Sequence, residues 1–248
     1  MPDHSPTLTL RKAAQQAPEQ RIIMKQTWSE LLFLHWEFDV KVIQETLPEG
    51  LYVDKFQEKA YLGIVPFLMQ KIRPIGFPAI PKLSWFHELN LRTYVHDENG
   101  KPGVWFYSLD CDQPIAVELA RKLFHLPYQH AQMNFEREQE ERYFTSQRRE
   151  SNIPQQFSYQ PKSDSYYPAT DESLEFFLVE RYFLYSVDRK GRLCSGQVHH
   201  TPYQIQEAEV TEYSKELFNL EGFPLPEGKP CSQLIAKPVD VSVYPLTR

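Results

Sequence analysis

Polar and apolar residues alternate most regularly over residues 86–95, where Glu88, Asn90 and Arg92 occupy every second position. Because successive side chains of a β-strand point to opposite faces, this pattern predicts a strand with a carboxylate, an amide and a guanidinium on one side. A partner strand is predicted over residues 103–110, after a turn containing Asn-Gly, a pair that tolerates the positive φ of tight hairpins. We expect the chemistry of the protein to lie on this hairpin.

Short apolar runs separated by turn residues predict a mainly β chain. Three prolines in residues 74–82 fix φ and predict a stiff loop that walls one side of a pocket. About ten strands and a few short helices favour an antiparallel barrel or a curved sandwich over a parallel α/β sheet. Beyond the central hairpin, strands are predicted over residues 28–38, 51–56, 60–73, 193–200, 204–213 and 239–244 and from about Arg181, and residues 157–167 are a further strand or an ordered loop. A long exposed hairpin is predicted around residues 136–142. Helices are predicted from Asp39, from Pro114 with an apolar stripe, from Asp171 or Ser173, and over residues 215–220.

Composition and charge narrow the class of protein. Of the 248 residues, 41% are hydrophobic and 14% aromatic, and the net charge of -6 comes without the basic stripe that nucleic acid requires. No apolar run reaches the roughly 18 residues that span a bilayer, so no membrane partner is expected. Residues 1–20 are polar and show no period, so we expect a flexible arm there and a single domain over residues 21–248.

Metal, phosphate and redox chemistry have little support in the sequence. The three cysteines lack the spacing of metal ligands or of a disulfide framework, which favours a reducing cytoplasm. His199 and His200 are adjacent, would point opposite ways on a strand, and have no third ligand spaced to help them. With 9 glycines in the chain, no glycine-rich phosphate loop is visible. We therefore expect no metal and no cofactor.

A set of motifs spread over residues 22–245 carries a family resemblance. The motifs are Leu47-Pro48-Glu49-Gly50-Leu51, Gly63-Ile64-Val65-Pro66-Phe67, Glu88-Leu89-Asn90-Leu91-Arg92-Thr93-Tyr94-Val95, Val104-Trp105-Phe106-Tyr107-Ser108-Leu109-Asp110, Leu126-Pro127-Tyr128, Glu180-Arg181-Tyr182 and His200-Thr201-Pro202. Together they resemble the YqjF family of uncharacterised bacterial proteins, which in turn is similar to acetoacetate decarboxylases. The resemblance implies a mainly β (α+β) fold: a closed, strongly bent antiparallel β-barrel with a few short helices around a buried ligand cavity.

The resemblance also implies which residues stand at the decarboxylase site. Phe86-His87-Glu88 is similar to an aromatic-x-Glu segment of those enzymes, which puts Glu88 at the position of their active-site carboxylate. Arg121 keeps its spacing from the proline of the motif that supplies the Schiff-base lysine and a second lysine, but the residues that follow here are Tyr128 and Gln129. Neither side chain is a primary amine, so Schiff-base decarboxylation is not expected.

Glu88, Arg92 and Tyr128 are predicted as catalytic residues, and Asn90, Arg121, Gln129 and Arg181 as ligand contacts. If Glu88 is buried, Arg92 or another arginine should pair with it, because an unpaired buried carboxylate costs several kcal/mol. Alternative roles stay open for several of these residues. Alternation alone also fits the wet face of a strand, Arg181 also fits an internal ion pair, and Tyr128 fits either a hydrogen-bond donor to a ligand or a plug.

The sequence leaves two functions open. The first is a cytoplasmic protein that binds a small carbonyl or carboxylate compound in its barrel, with a lyase- or hydrolase-like activity undecided. The second is a non-catalytic structural or regulatory scaffold whose barrel is filled by its own aromatic side chains. A cavity above roughly 300 Å³ reached by Glu88, Arg92 and Tyr128 would favour the first. Formation of a homo-oligomer is left open.

Overall fold

The computed structural model describes residues 5–248, which are mainly β as predicted. The strands are β1 Met24–Ser29, β2 Leu31–Phe38, β3 Leu51–Val53, β4 Ala60–Pro74, β5 Phe86–Asp97, β6 Pro102–Cys111, β7 Tyr128–Glu138, β8 Glu141–Arg148, β9 Gln155–Pro161, β10 Tyr167–Pro168, β11 Phe183–Val187, β12 Leu193–His199, β13 Gln204–Tyr213, β14 Ser232–Ala236 and β15 Val239–Val243. The helices are α1 Leu8–Ala14, α2 Val40–Gln44, α3 Pro114–Leu123, α4 Leu174–Val179 and α5 Glu216–Leu220. None of these helices has the length and apolar character that a membrane crossing requires.

The strands of residues 5–248 join in one 15-stranded sheet that closes on itself twice. The seven-stranded ring runs through β1, β15, β12, β11, β6, β5 and β4. The nine-stranded ring runs through β2, β4, β5, β6, β7, β8, β9, β13 and β14. The two rings share a wall of β4, β5 and β6. The predicted closed, bent sheet is confirmed and is mainly antiparallel, although β6 pairs with β7 and with β11 in parallel.

The shared wall is covered on both faces, which explains why β4 is a nearly continuous apolar run. Tyr61 and Phe67 pack into one core cluster, whereas Leu62 and Ile64 point the other way into a second cluster. β5 obeys the same alternation, with its leucines in the second cluster and Glu88 on the opposite face. A strand buried on both faces needs apolar or internally paired side chains at every position.

Pro66 lies where β4 changes its neighbour. β2 pairs with the first part of β4 up to Ile64, and β1 pairs with the second part from Leu68 onward. Glu30, with a φ of 51°, separates β1 from β2, so the single strand predicted over residues 28–38 is divided in two. Proline has no N–H to donate, and it fits this gap in the strand pairing.

Several local predictions are confirmed. Asp39 caps α2 by accepting a hydrogen bond from the backbone nitrogen of Lys41 at 2.7 Å. The turn between β5 and β6 reaches Gly100 with a φ of 73°, and α3 begins at Pro114. The sequence reading missed α1 and β14, and it undercounted the strands. β14 was not predicted because it is a short apolar run with a proline close to each end.

The N-terminal segment differs from the flexible arm expected over residues 1–20. Residues 1–4 lie outside the described residues, but α1 follows and packs on the domain. Arg11 donates two hydrogen bonds of 2.7 Å to the carboxylate of Asp54, and Arg181 donates a third at 2.5 Å. Asp54 is 1% exposed, so this three-residue cluster anchors the helix through a buried charge. The polar composition of this segment gave no sign of the contact, because Arg11 and Asp54 are 43 residues apart in the chain.

We predict that Asp54→Asn lowers the free energy of unfolding by about 3–5 kcal/mol, because it leaves two arginines without a buried counter-charge. Burial alone would raise the pKa of Asp54, but the charges of Arg181 and Arg11 outweigh it and hold that pKa below its usual value. The stabilisation is therefore present above the usual aspartate pKa and is lost as the pH falls through the lowered one. Urea unfolding at pH 7 measures the loss.

The matched control for Asp54→Asn is Glu207→Gln, which removes the carboxylate of an exposed pair with Lys162. Both side chains of that pair are more than half exposed, so solvent screens the attraction and the change in stability should be far smaller. Equal losses in the two variants would contradict a stabilising role for the buried cluster.

Candidate functional site

A cavity of about 500 Å³ lies inside the seven-stranded ring. All seven of its strands contribute side chains to the wall, and α3 and the loop after β4 complete it. The predicted role of this proline-containing loop as a pocket wall is confirmed, since Phe77 and Pro78 line the cavity. Most of the lining is apolar, and its charged or ionisable side chains are Glu88, Arg92, Tyr128, Arg181 and Tyr203.

Glu88 is held in the shared wall, where its neighbours in the sheet are Phe67 of β4 and Cys111 of β6. Its side chain accepts hydrogen bonds from the hydroxyl of Tyr128 at 2.6 Å and from the amide of Asn90 at 3.4 Å. Removal from water raises the pKa of Glu88 to about 7, against the lowering effect of these two hydrogen bonds and of the Arg92 charge. Near neutral pH the carboxyl group can therefore both give and accept a proton.

Tyr128 is fixed by the loop between α3 and β7. Arg121 directs two guanidinium nitrogens at the carbonyl oxygen of Tyr128, at 2.8 and 2.5 Å. The first residues of β7 then pair in parallel with β6, with Tyr128 opposite Leu109. Burial and the adjacent Glu88 raise the pKa of the Tyr128 phenol well above its usual value. The hydroxyl thus stays protonated and acts as a donor to Glu88.

Arg92 lies against aromatic rings rather than against a carboxylate. Its guanidinium carbon is 5.4 Å from the centre of the Phe33 ring and 5.6 Å from that of Tyr94. One of its nitrogens lies 3.5 Å from the Tyr94 hydroxyl, which is also 2.6 Å from Nε2 of His35. The Nε atom of Arg92 is buried and has no hydrogen-bond partner within residues 5–248.

The prediction that an arginine pairs with Glu88 is wrong: within residues 5–248 the side chain of Glu88 is bonded to Tyr128 and Asn90. Arg181 pairs with Asp54 instead and also donates to the carbonyl oxygen of Phe177 at 2.6 Å. Burial lowers the pKa of Arg181 to about 10, so the group remains charged at neutral pH. Glu88 needs no counter-ion because protonation removes the charge that burial penalises.

The predicted ligand contacts are divided by the structure. Arg181 reaches the cavity, and its Nη2 atom is buried without a partner in the described part of the chain. Asn90 is 2% exposed and contacts Glu88 instead of lining the cavity. Arg121 is turned towards the backbone of Tyr128, and Gln129 pairs with Asp110 in the sheet, so neither belongs to the cavity wall.

Sequence reasoning missed the contribution of Asp54 and Arg11 to the site. Both residues surround Arg181, yet no local pattern connects positions so far apart in the chain. Of the two adjacent histidines, His200 is buried. Its ring stacks on Tyr182 with ring centres 4.6 Å apart, and its Nδ1 atom is hydrogen-bonded to a backbone oxygen. Residues 5–248 contain no group of three or more His, Cys, Asp or Glu side chains arranged to hold a metal ion.

We predict that the stability difference between the unaltered protein and Glu88→Gln depends on pH. Burial raises the folded-state pKa of Glu88 from 4.5 to about 7, so between these values the folded protein binds more protons than the unfolded chain. The contribution of Glu88 to the free energy of unfolding must then fall as the pH rises, by on the order of 3 kcal/mol in total. Denaturant unfolding of both proteins at pH 5, 6, 7 and 8 measures it. A constant difference would show that Glu88 titrates normally.

Comparison with known proteins gives a family and a fold. The model of the DUF2071 family, described as an uncharacterized conserved protein, matches residues 25–240. Uncharacterized protein YqjF of Bacillus subtilis (strain 168) is 37% identical over 232 residues, covering 93% of this chain and 94% of YqjF. The resemblance seen in the sequence motifs is thereby confirmed.

Two solved structures show the fold alone, because their sequence identities are low. Acetoacetate decarboxylase from Legionella pneumophila aligns with a TM-score of 0.60 and 13% identity, over 94% of this chain and 88% of that one. The enduracididine biosynthesis enzyme MppR, complexed with the condensation product of pyruvate and imidazole 4-carboxaldehyde, aligns with a TM-score of 0.63 and 10% identity, over 94% and 90%. The chain belongs to the DUF2071 family together with YqjF, and its fold is that of the acetoacetate decarboxylases.

Proposed function

We propose that this protein binds a small carbonyl or carboxylate compound in the cavity of the seven-stranded ring, without forming a Schiff base. Arg92 holds the anionic group of the ligand, and Glu88 transfers a proton with Tyr128 as its hydrogen-bond partner. The observation that carries the proposal is the buried Glu88 carboxyl with a pKa of about 7, in the same cavity as an arginine that has no carboxylate partner. A general acid-base group works best when its pKa lies near the operating pH.

The charges around the cavity support an anionic ligand. Arg11, Arg92 and Arg181 bring three positive charges, and Asp54 supplies one negative charge. Burial raises the pKa of Glu88 to about 7 and also raises the pKa of Glu180, which is bonded to the backbone of Tyr203, and this favours the neutral forms of both carboxyl groups. Low-dielectric surroundings strengthen the attraction of such a cluster for an anion. The planar guanidinium of Arg92 suits a carboxylate because it can donate two parallel hydrogen bonds.

The chemistry assigned to Glu88 is proton transfer at a carbon next to a carbonyl group. The carboxylate form accepts the proton, the electron pair of the C–H bond forms the C=C bond of an enolate, and the π pair of the carbonyl group moves to its oxygen. The positive charge of Arg92, which also holds the anionic group, offsets the negative charge on that oxygen. This step suits a lyase-like reaction of a small organic acid. No lysine occurs among the cavity-lining side chains of residues 5–248, which supports a mechanism without an imine. MppR, whose structure contains a pyruvate-derived compound, supports the ligand class by analogy of fold only.

The second candidate function is a scaffold without a ligand, and one observation favours it for half of the molecule. The core cluster bounded by the nine-stranded ring contains tightly buried aromatic side chains, among them Trp36, Phe144, Phe157 and Tyr159. Such a filled interior is structural. The open volume of about 500 Å³ belongs to the other ring, and it supports ligand binding there.

We predict that small oxo acids and hydroxy acids bind to the unaltered protein and that Arg92→Ala weakens binding by roughly 10- to 100-fold, the worth of a charge-assisted hydrogen bond. Affinity should rise as the pH falls from 8 to 6, because protonated Glu88 no longer repels the anion. Glu88→Gln should remove most of this pH dependence, since an amide does not titrate; the remainder comes from neighbours such as Asp110, whose pKa burial raises to about 6. Thermal shift followed by calorimetry measures both effects.

Matched controls for these two variants are Arg189→Ala and Glu98→Gln, which change exposed residues outside the cavity. Neither control should alter affinity or its pH dependence. Ligands that bind equally well to Arg92→Ala and to the unaltered protein would move the site elsewhere and contradict the proposal.

We also predict that borohydride traps no covalent adduct when the protein is incubated with acetoacetate or pyruvate. An imine needs an amine in the cavity, and Lys122, the lysine nearest in sequence to Tyr128, is exposed. Mass spectrometry of the intact protein and of its peptides detects a stable adduct if one forms. A stoichiometric adduct on any lysine would overturn the exclusion of Schiff-base chemistry.

A further inference from the structure

The cavity opens between apolar side chains that are exposed to solvent. Ile115, Leu119 and Leu123 form the apolar stripe of α3, and they are 54%, 52% and 62% exposed. The stripe had the pattern of a core-facing helix, yet only Val117 of this helix is buried. All three stripe residues line the cavity. The stripe therefore forms part of the cavity opening instead of packing into the core.

The loop after β4 supplies a second part of this opening. Phe77, Ile80 and Leu83 line the cavity, and Phe77 is 67% exposed. Together with the stripe of α3, these residues form what we call the apolar mouth. Large apolar side chains that remain exposed next to one another mark a binding surface more often than an ordinary protein surface.

Most ionisable residues of the cavity are buried, in contrast to the apolar mouth, and Arg92 is half-buried. Glu88 is 3% exposed, Arg181 6% and Tyr128 7%. The ionisable groups thus lie on the less exposed parts of the lining, and the exposed apolar side chains of the mouth carry none. A polar head can replace the water that Glu88, Arg92 and Arg181 have lost, and an apolar tail beside the mouth removes exposed apolar surface from water, so the lining favours a ligand that has both.

The volume of the cavity exceeds what a short acid needs. A water molecule occupies about 30 Å³ in the liquid, so about 500 Å³ holds roughly 15 groups of that size, whereas a four-carbon oxo acid has about seven non-hydrogen atoms. The head group of the ligand lies beside Glu88 and Arg92. The remaining volume runs along apolar side chains as far as the mouth.

We propose that the ligand is an amphiphilic acid: a carboxylate or oxo acid head at Glu88 and Arg92, with an unbranched or aromatic tail of roughly six to ten carbon atoms that ends at the apolar mouth. This inference rests on the proposed function and specifies its ligand class. The mouth surrounds the cavity that leads to Glu88, and this continuity favours the tail of a bound ligand over a second protein copy as its occupant.

The experiment is a homologous series of 2-oxo acids with four to twelve carbon atoms, measured by calorimetry on the unaltered protein. Each buried methylene group should strengthen binding about fourfold until the tail reaches the mouth, after which the gain should level off. Arg92→Ala should weaken all members of the series by a similar factor, because it acts on the head group.

Two further variants locate the tail. Leu119→Ser should weaken the longest acids about tenfold and the four-carbon acid far less, because it removes apolar contact only at the mouth. Leu225→Ser is the matched control: Leu225 is 50% exposed and lies outside the cavity lining, so the affinities should stay unchanged. Both substitutions are at exposed positions, and the thermal unfolding of each variant checks that it is folded.

Three outcomes would overturn the inference. If short acids bind, depend on Arg92 and gain nothing with chain length, the proposed function stands and the amphiphilic ligand is excluded. If Leu119→Ser leaves chain-length dependence intact but dissociates an oligomer in light scattering, a second copy covers the mouth. If no acid of any length binds, the proposed function fails as well.

Discussion

A carboxyl group inside a protein has lost the water that would stabilise its charge, and here Tyr128 and Asn90 provide the replacement for Glu88. The hydrogen bond from Tyr128 spans 40 residues of sequence and joins the start of β7 to the centre of the shared wall. Two hydrogen bonds and a neighbouring arginine leave the pKa of Glu88 near 7, because they only partly offset the cost of burial. The balance keeps both protonation states accessible, and it requires Tyr128 to remain where Arg121 holds it.

The shared wall fixes the position of Glu88, on which its pKa depends. β5 lies between β4 and β6 along most of its length, and both of its faces are covered by one of the two rings. Strands buried in this way cannot slip in register without turning Glu88 into the apolar core of the nine-stranded ring and Leu89 into the cavity. The filled ring therefore acts as the rigid support of the open one. The packed interior of the nine-stranded ring and the cavity of the seven-stranded ring thus depend on the same three strands, β4, β5 and β6.

Much of this could be predicted from sequence wherever the determining interactions are local. The alternation in residues 86–95 identified β5 and the face that carries Glu88, because strand periodicity is a property of neighbouring residues. The nearness of Tyr128 came from motif resemblance, since no periodicity relates residues in different strands. The direction of the Arg121 side chain could not be predicted, because spacing places the residue at the end of a helix without saying whether it faces the ligand or the backbone of the loop that follows. The stripe of α3 showed the same ambiguity: its pattern indicated an apolar environment, which is the mouth of a cavity and not the core.

The N-terminal helix extends this reasoning to the charge of the cavity. Asp54 neutralises one of its two arginine partners, so one positive charge of the Arg11 and Arg181 pair remains uncompensated. Arg181 lies 4.9 Å from the centre of the Tyr94 ring, and the hydroxyl of Tyr94 contacts Arg92, so the surplus charge is close to the proposed anion site. Attraction between charges is stronger at a given distance, and less screened by salt, where water is excluded. The segment that looked like a loose arm is thus part of the electrostatics of the site, and a displacement of α1 that removed Arg11 would leave Asp54 to cancel the charge of Arg181 and reduce the attraction for an anion.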